Sequence, residues 1–245
     1  GSRAGCTFLT AMCLLDTTMG DNLLAMTTIS GSSNGAAFYL GLKHNQCTIP
    51  QKKQGLIELN RKLYEKDYIT HSLFKFLFTD PIASWVPFFN DRKNRNESLI
   101  AKENQAFNSI QNTCSSGNTN FLDNTWHETY SGNDIPIFIP VTYNVSLGQK
   151  AISSPYPLEG AQLSNFESIV DQKHPNITLG ESVSLSEMFP IISASASIHG
   201  ESYLDGGVYD NGAFETLNDI YSIVKEKRDS ICADKKIILL SIENG

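Results

Sequence analysis

The strongest constraint on the fold is a glycine-framed serine pattern near the start of the chain, Gly-Ser-Ser-Asn-Gly over residues 31–35. It follows an apolar run, residues 23–29, that predicts a short buried strand, and it precedes small and apolar residues that predict a helix. A GxSxG pattern between a strand and a helix is typical of a sharp turn, because glycine tolerates the strained backbone there. Such a turn holds the central serine above a sheet, so Ser33 is predicted to be a nucleophile.

A second short motif, Asp-Gly-Gly over residues 205–207, supplies a carboxylate far downstream of the serine. Serine hydrolases with this kind of turn usually have the chain order Ser, then Asp or Glu, then His. No histidine follows Asp205, so the motifs favour a Ser33/Asp205 dyad in which the carboxylate takes the hydroxyl proton directly. A histidine triad would need an acid and a histidine from outside any motif, for example Asp134 or Asp171 with His174 or His199.

These motifs resemble, in their order, those of the patatin-like phospholipase family, in which a glycine-rich oxyanion loop precedes a GxSxG elbow and a late DGG or DGA. The opening Gly1-Ser2-Arg3-Ala4-Gly5 is similar to the end of that loop. The small-residue stretch 186–196 is similar to the one before the family's catalytic aspartate. The resemblance covers nearly all of residues 1–245, and we expect a single patatin-like domain that begins within the oxyanion loop.

The resemblance implies a three-layer α/β/α fold with a nucleophile elbow. It assigns Ser33 and Asp205 to the catalytic dyad, Gly1, Ser2 and Arg3 to the oxyanion loop, and Gly31, Asn34 and Gly35 to the elbow. The chain departs from the family pattern at two of these places. Ala4 stands where the family often has glycine, and Asn34 replaces the small residue that commonly follows the serine.

A lipid acyl hydrolase is the function that the resemblance implies, cleaving carboxylic ester bonds of phospholipid or other lipid through an acyl-enzyme intermediate. This chemistry needs neither a metal ion nor an organic cofactor. Two alternatives stay open. One is a histidine-triad esterase that acts on small or carbohydrate esters, and the other is a non-catalytic lipid-binding domain with the same fold.

Composition limits the partners of the protein. The 245 residues, 40% of them hydrophobic, are enough for one sizeable core. A net charge of −7 argues against nucleic acid and against steady electrostatic binding to anionic membranes. Contact with a lipid surface would therefore be transient and apolar. The compartment stays open, with a cytoplasmic or membrane-associated location favoured. Five cysteines without CxxC spacing predict neither a zinc site nor a complete disulfide framework, and most are expected to be buried thiols.

Hydrophobic periodicity predicts the remaining elements of an α/β alternation. In chain order they are an apolar helix over 3–15, a charged helix over 51–66, a strand over 135–145 with a hairpin partner at 149–153, an amphipathic helix over 213–227 and a closing buried strand over 236–242. A mainly helical insertion is expected over about 50–125. It contains an aromatic-rich stretch, 73–89, whose charged residues and prolines exclude a membrane span, and which we expect either to pack on the core or to form a lid.

Overall fold

The computed structural model of the protein describes residues 2–65, 95–115, 119–156, 166–170, 176–188, 196–198, 200–210, 212–231, 234 and 236–242. The helices in these ranges are α1 (Ser2–Met19), α2 (Gly31–His44), α3 (Lys53–Tyr64), α4 (Arg95–Asn108), α5 (Trp126–Tyr130), α6 (Leu179–Ser186) and α7 (Phe214–Ile231). The strands are β1 (Ala25–Ile29), β2 (Ile137–Asn144), β3 (Gln149–Ile152), β4 (Phe166–Ser168), β5 (Ala196–Ile198) and β6 (Glu201–Asp205). Short 3₁₀ turns lie at Gly20–Asn22, Gln111–Thr113, Phe121–Asp123 and Gly206–Val208.

The sheet is organised around β2. Its strand order is β4-β3-β2-β6-β5, and β1 also pairs with β2. Because β3 occupies one edge of β2, strands β1 and β6 share the other edge, β1 parallel and β6 antiparallel to β2. Ile29, the last residue of β1, pairs with Val141, and Asp205, the last residue of β6, pairs with Thr142. The two strands therefore end against each other on consecutive residues of β2, roughly 3.3 Å apart along that strand.

Side chains alternate between the two faces of the sheet, as the period of a strand requires. Phe138 and Tyr203 belong to a core shared with helices α1 to α6. On the other face, Ile139 and Val141 pack with Ile220 of α7. Helices thus cover both faces of a central sheet, which confirms the predicted α/β class.

The N-terminus of α6 follows from its local sequence. Thr178 Oγ1 accepts a hydrogen bond from the Glu181 backbone N–H at 3.1 Å, and Glu181 Oε2 accepts one from the Thr178 N–H at 2.8 Å. This capping box satisfies two backbone donors that a helix leaves open at its start. The helix then runs eight residues to Ser186, which it places beside the end of β1.

Most predicted elements are confirmed within a few residues, but two predictions are wrong. Residues 236–242 form no strand, and Ile238 is 74% exposed where burial was predicted. A disulfide joins Cys47 to Cys114, so the expectation that most of the cysteines are buried thiols is wrong. Such a bond is typical of oxidising compartments. Cys13 is a buried thiol as expected, and burial raises its pKa to about 12.

The predicted insertion, 50–125, contains helices α3 and α4 in its described part, and the aromatic-rich stretch 73–89 lies outside the described residues. Across the ranges that the structure describes, no helix is both long enough and apolar enough to cross a membrane.

Candidate active site

One residue makes the turn between β1 and α2. Strand β1 ends at Ile29, α2 begins at Gly31, and Ser30 between them has φ 55° and ψ −140°. Residues other than glycine rarely adopt this conformation, and it is found mainly where the surrounding structure enforces it, often at active sites. A serine on a strained strand-to-helix turn is the geometry of a nucleophile elbow. The elbow serine in this structure is therefore Ser30.

Ser33 lies elsewhere, in the first turn of α2, with a side chain that is fully buried. Its Oγ is 2.9 Å from Thr28 Oγ1 and 2.8 Å from Ser186 Oγ, so it is enclosed by other hydroxyl groups. The predicted placement of Ser33 at the apex of the turn is wrong, because the strand ends one residue before Ser30 and the helix has already begun at Gly31. The end of the apolar run at Ile29 was the sequence signal for this.

Asp205 is held in a fixed position at the end of β6. It is 4% exposed, its backbone N–H donates to Met188 O at 2.8 Å, and its Oδ1 accepts from the Gly207 N–H at 2.8 Å. In the part of the chain that the structure describes, Oδ2 has no hydrogen-bond partner. The next residue, Gly206, packs against β2 so closely that a Cβ there would lie 2.5 Å from Val141 O.

Ser30 and Asp205 line the same cavity, which has a volume of about 1380 Å³ and does not include Ser33 in its lining. Its walls come from β1, α1, α7 and segment 236–242, and are mostly apolar: among them are Phe8, Met12, Met26, Ile29, Val208, Leu217, Ile220 and Leu239. Pockets for small molecules usually have volumes of about 300–1,000 Å³. The cavity is thus large enough for a long apolar group whose polar end reaches Ser30.

The starts of α1 and α2 cross next to the elbow. Gly35 lies against the Gly5 carbonyl, and a Cβ on Gly5 would lie 2.7 Å from Gly31 O, so only glycine permits this approach. Helix N-termini carry partial positive charge, and the contact between Gly5 and Gly31 brings the start of α1 to the start of α2, next to Ser30. Of the predicted oxyanion loop, Ser2 and Arg3 form the first turn of α1 and are exposed, and Gly1 lies outside the described residues.

Two glutamates that no motif indicated lie behind the elbow. Asn34, a predicted elbow residue, donates from Nδ2 to Glu103 Oε1 at 2.7 Å and from its backbone N–H to Glu187. Among the described residues Glu103 Oε2 is buried without a hydrogen-bond partner, and Glu187 lies close enough for its charge to act on the Glu103 carboxyl group. Burial, together with the negative charge of Asp205, raises the pKa of Glu187 to about 8. Burial, with the nearby Glu187, also raises the pKa of Glu103 well above its ordinary value.

This pair predicts a pH-dependent stability. The Glu187 pKa of about 8 in the folded protein exceeds the value of about 4.3 in an unfolded chain, so the folded state binds more protons between these limits. The free energy of unfolding should therefore fall as the pH rises through that window. In urea titrations from pH 5 to 8.5, we expect Glu187→Gln to remove part of this slope. Glu215→Gln, which changes an exposed carboxylate of α7, is the control, and equal slopes for Glu187→Gln and the wild type would contradict the prediction.

The described part of the chain does not assemble the predicted histidine triad. Asp134 is exposed and lies before the start of β2, whereas the end of β1 next to the elbow pairs with Val141, four residues into that strand. His44 is at the far end of α2 from Ser30. Among the described residues no histidine lines the cavity. Asp171, His174 and His199 lie outside the described residues, so the triad stays a prediction.

Comparison of the sequence with models of known protein families and with curated proteins gives no match. Within the described ranges, no three or more His, Cys, Asp or Glu side chains are grouped so that they could hold a metal ion.

Proposed function

We propose that this protein is a serine acyl hydrolase of the patatin-like kind that cleaves lipid esters, with Ser30 as the nucleophile and Asp205 as the general base. The observation that carries the proposal is the meeting of β1 and β6 on consecutive residues of β2. This pairing brings the strained serine and the buried carboxylate to one point, at the wall of an apolar cavity. The proposal keeps the Ser/Asp dyad predicted from the sequence but transfers the role of nucleophile from Ser33 to Ser30.

The chemistry divides into two steps. In the first, Asp205 Oδ2 takes the proton of the Ser30 hydroxyl while Oγ attacks the ester carbonyl carbon, and Gly207 keeps Oδ1 in place. The resulting oxyanion is stabilised by backbone N–H groups at the starts of α1 and α2. Its collapse breaks the ester bond, and the leaving alcohol takes the proton back from Asp205. In the second step Asp205 removes a proton from water, which attacks the acyl carbon; the acyl–Oγ bond then breaks, the fatty acid leaves and Asp205 returns the proton to Ser30 Oγ.

Three features favour a lipid ester as the substrate. The cavity walls are mostly apolar, so a long acyl chain would bury its methylene groups there, each contributing about 0.8 kcal/mol. Segment 236–242 adds exposed apolar side chains at the cavity, with Leu239 44% and Leu240 51% exposed. With a net charge of −7, contact with a membrane surface would depend on such apolar groups.

A non-catalytic lipid-binding domain is the second candidate. Two observations favour it: Ser2 and Arg3 begin a helix instead of continuing a glycine-rich loop, and Ala4 stands at a glycine position. In this case the protein would bind lipid in the cavity without hydrolysing it.

A fluorophosphonate probe tests both candidates, because it forms a covalent adduct only with an activated serine. We expect one adduct per chain by intact mass, localised to Ser30 by fragmentation of the peptide that contains both Ser30 and Ser33. Preincubation with a long-chain ester should slow labelling more than a short-chain ester does. An adduct on Ser33 would support the nucleophile predicted from the sequence, and the absence of any adduct would support the lipid-binding alternative.

A further inference from the structure

We infer that Ser186 is a positioning residue that fixes the strained turn at Ser30 relative to Asp205, an inference that rests on the proposed hydrolase function. Ser186 is the last residue of α6, and its side chain is fully buried. It lies 156 residues from Ser30 in the sequence, outside the two motifs that supply the dyad.

The Ser186 hydroxyl joins three groups. It donates its one proton to Val141 O at 2.7 Å, so its other contacts must be hydrogen bonds that it accepts. These come from the Ser30 backbone N–H at 3.1 Å and from Ser33 Oγ at 2.8 Å. Ser33 then accepts from Thr28 Oγ1 at 2.9 Å. Each hydrogen bond in this chain of hydroxyl groups therefore has a defined donor and acceptor, and Ser33 is one of the hydroxyl residues in it.

The chain of hydroxyls offsets the strain at the elbow. A residue in a sparsely populated backbone conformation costs about 1–3 kcal/mol and persists only where its surroundings over-determine it. The Ser30 N–H lies outside the helix and sheet ladders, and Ser186 supplies its acceptor. A buried hydrogen bond of this kind contributes about 1 kcal/mol, and leaving the N–H without a partner would cost about 1–3 kcal/mol.

Residues on both sides of Ser186 hold the strand that carries Asp205. Met188 O accepts from the Asp205 N–H at 2.8 Å. Thr142 Oγ1 lies 3.0 Å from Leu185 O and 2.6 Å from Leu204 O, so its proton is shared between the end of α6 and β6. The end of α6 is therefore bound to the elbow through Ser186 and to the base through its neighbours.

Val141 O completes the link between the two halves of the dyad. It accepts the Ser186 proton, and the backbone of Gly206, the residue after Asp205, packs against it. Without the Ser186 hydroxyl, the Ser30 backbone would lose its hydrogen-bonded connection to Val141 O, whereas the cavity walls would stay intact. A displacement of about 1 Å in such a site can lower a rate about 10²-fold.

The test compares Ser186→Ala with Ser184→Ala, a matched control on the same helix. Ser184 is also buried, but its hydroxyl donates to Glu181 O within α6. For Ser186→Ala we expect the Ser30 amide to exchange with deuterium about 5- to 10-fold faster by NMR, and kcat for a long-chain ester to fall about 10²-fold at unchanged KM. Ser184→Ala should change neither quantity. Ser186→Thr, which keeps the hydroxyl, should restore the protection of the Ser30 amide.

Each outcome decides the inference. If Ser186→Ala shows the wild-type exchange rate of the Ser30 amide and the wild-type kcat, the positioning role of Ser186 is wrong, although the hydrolase proposal stands. The same holds if Ser184→Ala accelerates that exchange and lowers kcat as much as Ser186→Ala does. If the wild type neither hydrolyses esters nor reacts with a fluorophosphonate, the proposed function fails and the positioning role fails with it. If Ser186→Ala does not fold, Ser186→Cys takes its place, because a thiol is only a weak hydrogen-bond donor and acceptor. The Ser30 amide should then exchange faster and kcat should fall at unchanged KM, and wild-type values of both would overturn the inference.

Discussion

Replacing Ser30 with alanine is expected to lower the turnover of a lipid ester at least about 10⁴-fold, because no other hydroxyl occupies the strained turn at the cavity. Ser33→Ala should keep measurable turnover, since its buried hydroxyl contacts Thr28 and Ser186 instead of the cavity. Its main effect should be a loss of about 1–3 kcal/mol in the free energy of unfolding, from the hydroxyl groups left without a partner. Hydrolysis of a long-chain chromogenic ester in mixed micelles, with urea unfolding of the same samples, measures both quantities.

Comparing Ser30→Ala with Ser33→Ala shows which of the two serines is the nucleophile. Ser32→Ala is the control for the elbow region, since Ser32 also lines the cavity but its hydroxyl bonds the Ile29 backbone. If Ser33→Ala abolishes turnover while Ser30→Ala retains it, the nucleophile predicted from the GxSxG spacing is the correct one and our proposal for Ser30 is wrong.

Asp205→Asn should lower turnover by about 10⁴-fold with little change in stability. The amide keeps the size of the side chain and can still accept the Gly207 N–H through its oxygen, but it cannot take the Ser30 proton. Steady-state kcat, together with the fluorophosphonate labelling rate, measures the loss.

Asp210→Asn is the matched control for that substitution. Asp210 lies five residues downstream and also accepts backbone N–H groups, from Gly212 at 3.3 Å and from Glu215 at 3.0 Å, but it does not line the cavity. Near-wild-type turnover in Asp205→Asn would show that this carboxylate is not the base, and an equal loss in Asp210→Asn would show that the effect is structural.

Local patterns predicted the framework of the site well. The apolar run before Gly31 and the helix after it are confirmed as β1 and α2, whereas β6, the strand that ends at the DGG motif, was not among the predicted elements. Such features depend on residues close together in the sequence, where periodicity and turn chemistry are informative. The α/β class followed from the same alternation.

The nucleophile was harder to place because a motif fixes spacing but not backbone conformation. The Ser30 backbone is hydrogen-bonded to Ser186, which in turn donates to Val141, and both residues lie far away in the sequence and carry no motif of their own. Glu103 and Glu187 were missed for a similar reason, since only the packing of α4 against α6 brings their carboxyl groups together.

Two other errors have the same origin. The apolar run 236–242 reads as a buried strand, but a strand also needs a partner, and periodicity does not supply one. The pairing of Cys47 with Cys114 spans 67 residues, and connectivity of this kind cannot be deduced from spacing.

Because β1 and β6 meet end to end on β2, the single peptide unit between Val141 and Thr142 fixes the separation of the two strand ends that carry the proposed dyad. Surface connections can therefore lengthen or shorten during evolution without altering that separation. A one-residue deletion inside β2 would instead shift one strand past the other and turn its side chains to the opposite face.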